Sequence, residues 1–182
     1  MSTSVVSRKK IVTDIIAILA AVAASVALPQ IFHAVGAISG AGATVGSAFL
    51  PMHIPVILAG MLFGPAVGLT AGILSPVISF MISGMPAIAI LPFMVIELGV
   101  YGLVSGFMNK VKVNNFLKLI VVQIAGRAAR ALAVVAAIYI LGDTTLTLAS
   151  ISGFIVSGLF GIVLQWAFIP LCVERFKRSD NV

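Results

Sequence analysis

Residues 50–106 read LPMHIPVILAGMLFGPAVGLTAGILSPVISFMISGMPAIAILPFMVIELGVYGLVSG. The stretch is almost wholly apolar, yet Pro51, Pro55, Pro65, Pro76, Pro86 and Pro92 cut it into short pieces. A soluble core has no use for so long an apolar run, and a plain anchor helix has none for so many interruptions. At membrane depth, broken backbone is tolerated only where protein or a water-filled cavity surrounds it. Short hydrophobic segments interrupted by Gly and Pro are also the best sequence pointer to a binding site within the bilayer. The stretch therefore predicts an intramembrane binding cavity.

Composition agrees. The 182 residues are 61% hydrophobic and 9% charged, against roughly 25% charged in soluble domains. This is the make-up of an integral membrane protein, read as one domain over residues 1–182. A net charge of +6 is spread too thinly for a nucleic-acid face and fits membrane topology better. Cys172 is the one cysteine, which excludes an internal disulfide or a Cys-rich metal site; it reads as a small buried apolar residue. Arg8, Lys9 and Lys10 before an apolar run resemble a signal peptide. The run continues past a normal hydrophobic region without a clear cleavage site, so it is read as a retained first helix.

Outward from the central stretch, six spans are predicted: 11–34, 49–63, 66–83, 88–108, 116–141 and 146–173. The fold class is an all-α membrane bundle of six helices. Span 49–63 is short, roughly 22 Å at 1.5 Å per residue, against a hydrocarbon core of ~30 Å. Residues 36–48, GAISGAGATVGSA, are too rich in Gly, Ala and Ser for a confident helix and read as a long outer loop. Six spans put three basic clusters on one side: Arg8, Lys9 and Lys10; Lys110, Lys112 and Lys118; Arg175, Lys177 and Arg178. They hold nine of the eleven Lys and Arg, so that side, with both termini, is cytoplasmic. Asp143 falls outside. Five or seven spans would split the clusters.

Glu97, Arg127 and Arg130 lie deep in the spans, where ionisable residues are costly and face a partner or a cavity. Glu97 is twelve residues from Asn109 and Arg127 eleven from Phe116, roughly 18 and 17 Å from the inner end. The two are expected to meet as a structural ion pair. Arg130 sits one turn further out with no acidic residue at its level, so its charge calls for backbone carbonyls, water or a ligand. His33 and His53 are isolated; His33 reads as structural, and His53 as either pocket lining or structure. Met52 and Met85 are core filler or adaptable cavity lining. No catalytic constellation, metal site or resident cofactor is expected. The absence of a G-x-x-x-x-G-K-[ST] motif leaves any ATP-driven energy to another chain.

The ordered set Met52-His53-Ile54-Pro55, Gly60, Gly64-Pro65, Gly68, Gly72, Ser75-Pro76, Gly84-Met85-Pro86, Glu97 and Tyr101-Gly102 resembles the vitamin-binding S components of energy-coupling factor (ECF) transporters. The resemblance is strongest over residues 50–106. It implies a six-helix bundle in the cell membrane, with an outer substrate pocket. It implies a gating loop at residues 36–48, with Gly40, Gly42 and Gly46, and as partners a transmembrane coupling protein and two ATPases. The family's Ala-x-x-x-Ala motif for the coupling protein matches Ala17 and Ala21, and Ala20 and Ala24 repeat it. Small residues four apart allow close helix approach, and packing within the bundle is the competing reading of these alanines.

The resemblance leaves the vitamin open. Guanidinium favours carboxylate or phosphate, and an apolar pocket holding Arg130 suits an anion with an aliphatic body. Among the family's vitamins, pantothenate matches best. Capping of Arg130 by carbonyls, or snorkelling, is the bland alternative. Cobalamin and a thiamin-precursor pyrimidine or pyridoxine-type ligand are the other vitamin readings. Two further classes compete: an intramembrane enzyme, which lacks its His/Asp cluster or Ser–base pair, and a structural subunit, which gives Arg130 no purpose.

Overall fold

A computed structural model describes residues 8–40, 49–143 and 145–179. They form helices throughout: α1 (Arg8–Ile38), α2 (His53–Phe63), α3 (Pro65–Ser83), α4 (Leu91–Met108), α5 (Asn115–Tyr139), α6 (Leu148–Ser157) and α7 (Leu159–Ser179). Five of them, α1, α3, α4, α5 and α7, are long and apolar enough to cross a membrane.

The shortness of α2 has a physical reason. Of its 11 residues, His53, Ile54, Pro55, Val56, Ile57, Ala59, Gly60 and Met61 are buried. A helix apolar on every side belongs inside other protein, and α2 is the post around which the bundle stands. On one side Ile54, Ile57 and Met61 join Tyr101 of α4, Leu119 and Val122 of α5, and Ile169 and Val173 of α7. On another side Ala59 meets Ala17, Ala21 and Val22 of α1 and Val67 and Ala71 of α3.

Glycines let α2, α3 and α4 come together. A Cβ at Gly68 would collide with the Gly102 carbonyl, one at Gly102 with Gly68 itself, and one at Gly60 with the Gly102 carbonyl and the Ser105 hydroxyl. Lipid supplies little hydrophobic drive between helices, so close backbone approach of this kind carries the association.

Local chemistry sets the boundaries. Gly64, at φ 104°, precedes Pro65 at the start of α3 and separates it from α2; Gly84, at φ 69°, ends α3. The Asn114 side chain caps α5 by accepting the Leu117 N–H at 2.7 Å. Thr147 and Ser150 form a reciprocal capping box on α6. In the turn after α5, the Thr145 hydroxyl and backbone N–H both donate to Asp143, at 2.6 and 2.7 Å, and hold its carboxyl below its ordinary pKa.

Three expectations change. The helix predicted over 146–173 is two helices, broken at Gly158, because Gly153, Gly158 and Gly161 weaken a segment whose hydropathy runs on uninterrupted. The first helix continues through Gly36 to Ile38, so the predicted loop begins later; Gly40 sits at φ 74° just after it, whereas Gly42 and Gly46 lie outside the described residues. Lys118, counted with the connector cluster, is buried in the first turn of α5.

The two alanine pairs of α1 differ in their surroundings. Ala17 and Ala21 are buried against α2 and α3. Their small side chains let α1 approach its own bundle. Ala20 is exposed and Ala24 half-buried, so only that second pair looks outward.

Candidate functional site

The bundle has a cavity of about 580 Å³ at one end. Its walls come from the last turns of α1 (Pro29, Gln30, His33), residues 50–53 leading into α2, Ser79 of α3, the turn after α3 with Met85 and Pro86, Met94 of α4, Arg127 and Arg130 of α5, and one face of α6. The Arg8 end of α1 and the connector after α4 lie at the opposite end, because each of these helices runs antiparallel to the next. The volume falls within the ~300–1,000 Å³ usual for small-molecule sites.

The sequence-predicted residues Met52, His53, Met85, Arg127 and Arg130 all line this cavity. Glu97 stands behind them, fully buried. One of its carboxylate oxygens accepts from Arg130 Nη1 at 2.6 Å. The other lies 3.2 Å from Arg127 Nη1 and accepts from the Tyr101 hydroxyl at 3.3 Å. The expectation that Arg130 lacks an acidic partner is therefore overturned.

The reason is side-chain direction. Helical side chains lean toward the helix N-terminus. On antiparallel α4 and α5, Glu97 leans toward the cavity end and Arg130 leans away from it, so their tips meet although their Cα atoms stand at different depths.

The arrangement leaves charge over. Two guanidiniums share one carboxylate, and the sum over Glu97, Arg127 and Arg130 is one positive charge. Arg127 Nη1 also donates to the Phe154 carbonyl of α6 at 3.1 Å, and Arg130 lies over the Phe154 ring, 3.9 Å from its centroid. Even so, Arg127 Nε and Nη2 and Arg130 Nε are buried without a hydrogen-bond partner among the described residues. His53 packs edge-on against Tyr101, with centroids 5.3 Å apart. Its Nε2 is 3.8 Å from Glu97, too long for a hydrogen bond, and neither ring nitrogen has a partner among the described residues. Unpaired donors at a buried cation invite an acceptor, and carboxylate geometry suits guanidinium.

Sequence reasoning missed the α6 wall, Leu50 and the α1 wall. Phe154 and Ser150 carry no signal in the sequence. Leu50 takes φ 48°, a left-handed conformation that costs a residue with a Cβ ~1–2 kcal/mol and that sequence does not foretell. Gln30 could have been found: it is an amide in an apolar span, next to Pro29, which has no N–H to give the helix ladder.

Neither a search of curated proteins nor one of solved structures returns a match. A family model described as "ECF transporter, substrate-specific component" matches residues 9–173. With its all-helical build, its membrane-length helices and that match over nearly its whole length, the chain belongs to the substrate-specific component family of ECF transporters.

Proposed function

We propose that this component captures a small anionic vitamin, with pantothenate the best match, and delivers it through a membrane coupling protein driven by two ATPases. The observation that carries the reading is the excess positive charge beside the cavity: Arg127 and Arg130 share the single carboxylate of Glu97. A ligand carboxylate balances that charge. The remaining lining, with Pro29, Met52, Met85, Ile90 and Met94 beside Ser79 and Ser150, suits an aliphatic body bearing hydroxyls and an amide. A corrinoid is much larger than such a molecule, and the cavity volume favours the smaller ligand.

In the same reading the chain crosses the plasma membrane six times. Both termini are cytoplasmic, the cavity opens outward, and residues 36–48 gate it. The basic clusters at the end opposite the cavity support this orientation. Ala20 and Ala24, rather than Ala17 and Ala21, then supply the small residues facing the coupling protein.

The test is equilibrium binding of pantothenate and of pantothenol, its carboxyl-reduced alcohol, to the purified protein and to Arg127→Gln, which leaves Glu97 its shorter pair with Arg130. Wild type is expected to favour the acid by ~1.5–3 kcal/mol, as for a hydrogen bond to a charged group. Arg127→Gln loses most of that preference. Equal binding of acid and alcohol by wild type would falsify the anionic reading and bring a neutral pyrimidine or pyridoxine-type ligand forward.

A further inference from the structure

The cavity has a second polar point that the charge cluster does not explain. Gln30 lies on α1, next to Pro29, and its side chain lines the cavity. Its amide Nε2 is enclosed, with no hydrogen-bond partner among the described residues. An unpaired buried amide donor carries the full cost of its lost hydration, and native structures keep few of them. One that borders a ligand-sized cavity points to a partner carried by the ligand.

Its position in the bundle is informative. Helix α1 packs against α2 and α3, whereas α5, which bears the arginines, packs against α4, α6 and α7. Gln30 and the arginines thus stand on different walls, with the cavity between them. The lining on that side holds no Lys, Arg, Asp or Glu: it includes Pro29, His33, and Ser79 of the neighbouring α3. One wall therefore offers cationic donors and the other a neutral donor.

We propose that Gln30 is a specificity-determining residue that donates to a hydroxyl at the end of the ligand remote from its carboxylate. This rests on the anionic reading above and extends it: the site selects a molecule with an anionic group at one end and a neutral acceptor at the other. Pantothenate has that layout, with its carboxylate on one arm and its two hydroxyls on the opposite arm.

Isothermal titration of the full chain in detergent tests this with three ligands: pantothenate, pantothenol, and the pantothenate analogue whose two hydroxyls are replaced by hydrogen. Wild type is expected to favour pantothenate over the dehydroxylated analogue by roughly tenfold, the scale of a neutral hydrogen bond with a stranded donor. Gln30→Met binds those two alike, still prefers pantothenate to pantothenol, and holds the dehydroxylated analogue as wild type does, which shows an intact site. If Gln30→Met binds nothing, Gln30→Asn, which keeps the amide and shortens its reach, is judged by the same ratio.

A hydroxyl preference that survives these substitutions overturns the inference. Wild type that separates acid from alcohol but ignores the hydroxyls overturns the Gln30 role alone. Wild type that does not separate acid from alcohol overturns the anionic reading, and the inference with it.

Discussion

Glu97 answers to two arginines, and the contacts are unequal. Arg130 holds it at 2.6 Å. Arg127 stands at 3.2 Å and divides its donors with the Phe154 carbonyl. Removing one partner of a buried ion pair costs roughly 3–5 kcal/mol, because the other charge is stranded. Glu97→Gln is therefore expected to lower the thermal stability of the purified protein strongly. In double-mutant cycles with Arg127→Gln and Arg130→Gln, the Glu97–Arg130 coupling should exceed the Glu97–Arg127 coupling. The reverse order, or additive losses in both cycles, would show that the shorter contact is not the working one. Depth counted along the helices brings Glu97 and Arg127 to one level. It misses Arg130 because counting Cα rises ignores the lean of long side chains, which on antiparallel helices runs in opposite directions.

At the scale of elements, the decisive feature of α2 is legible in outline only. Its run of apolar residues between prolines marks it as short. Its burial on all sides needs the surrounding helices to be in place, since periodicity cannot separate a helix wrapped in protein from one facing lipid. The alanines of α1 show the same limit. Spacing of four predicts close approach, but not to which neighbour, and Ala17 and Ala21 make theirs to α2 and α3. Ala17→Trp should therefore destabilise the bundle itself, lowering the thermal midpoint in detergent. An indole has no room where Ala59, Val67 and Ala71 close in on α1. Ala20→Trp, on the exposed side, should leave that midpoint nearly unchanged. Similar midpoints for the two variants would return Ala17 to the surface.

The molecule as a whole is a bundle whose cavity end and basic end are opposite. That polarity is readable in the sequence through Arg8 to Lys10, Lys110 and Lys112, and Arg175 to Arg178, while Leu50 to His53 and Met85 to Ala87 within the broken stretch border the cavity. The α6 wall stays hidden, because a helix break at Gly158 changes no charge and little hydropathy. With Cys172 replaced by Ser, a cysteine introduced at Asp143 is expected to react with an impermeant thiol reagent applied to intact cells. A cysteine at Lys112 should react only after the membrane is opened. The opposite pattern would invert the molecule and turn the cavity toward the cytoplasm.

The two-to-one ratio of guanidinium to carboxylate bears on the membrane potential. Without ligand, and counting His53 as neutral, the cluster carries one positive charge at membrane depth, and each elementary charge moved through the full field is worth ~2.3 kcal/mol per 100 mV. A bound carboxylate brings the sum to zero. On the anionic reading proposed above, loading uncouples the site from the field: the ligand's negative charge, which an inside-negative membrane would repel, travels as part of a neutral group.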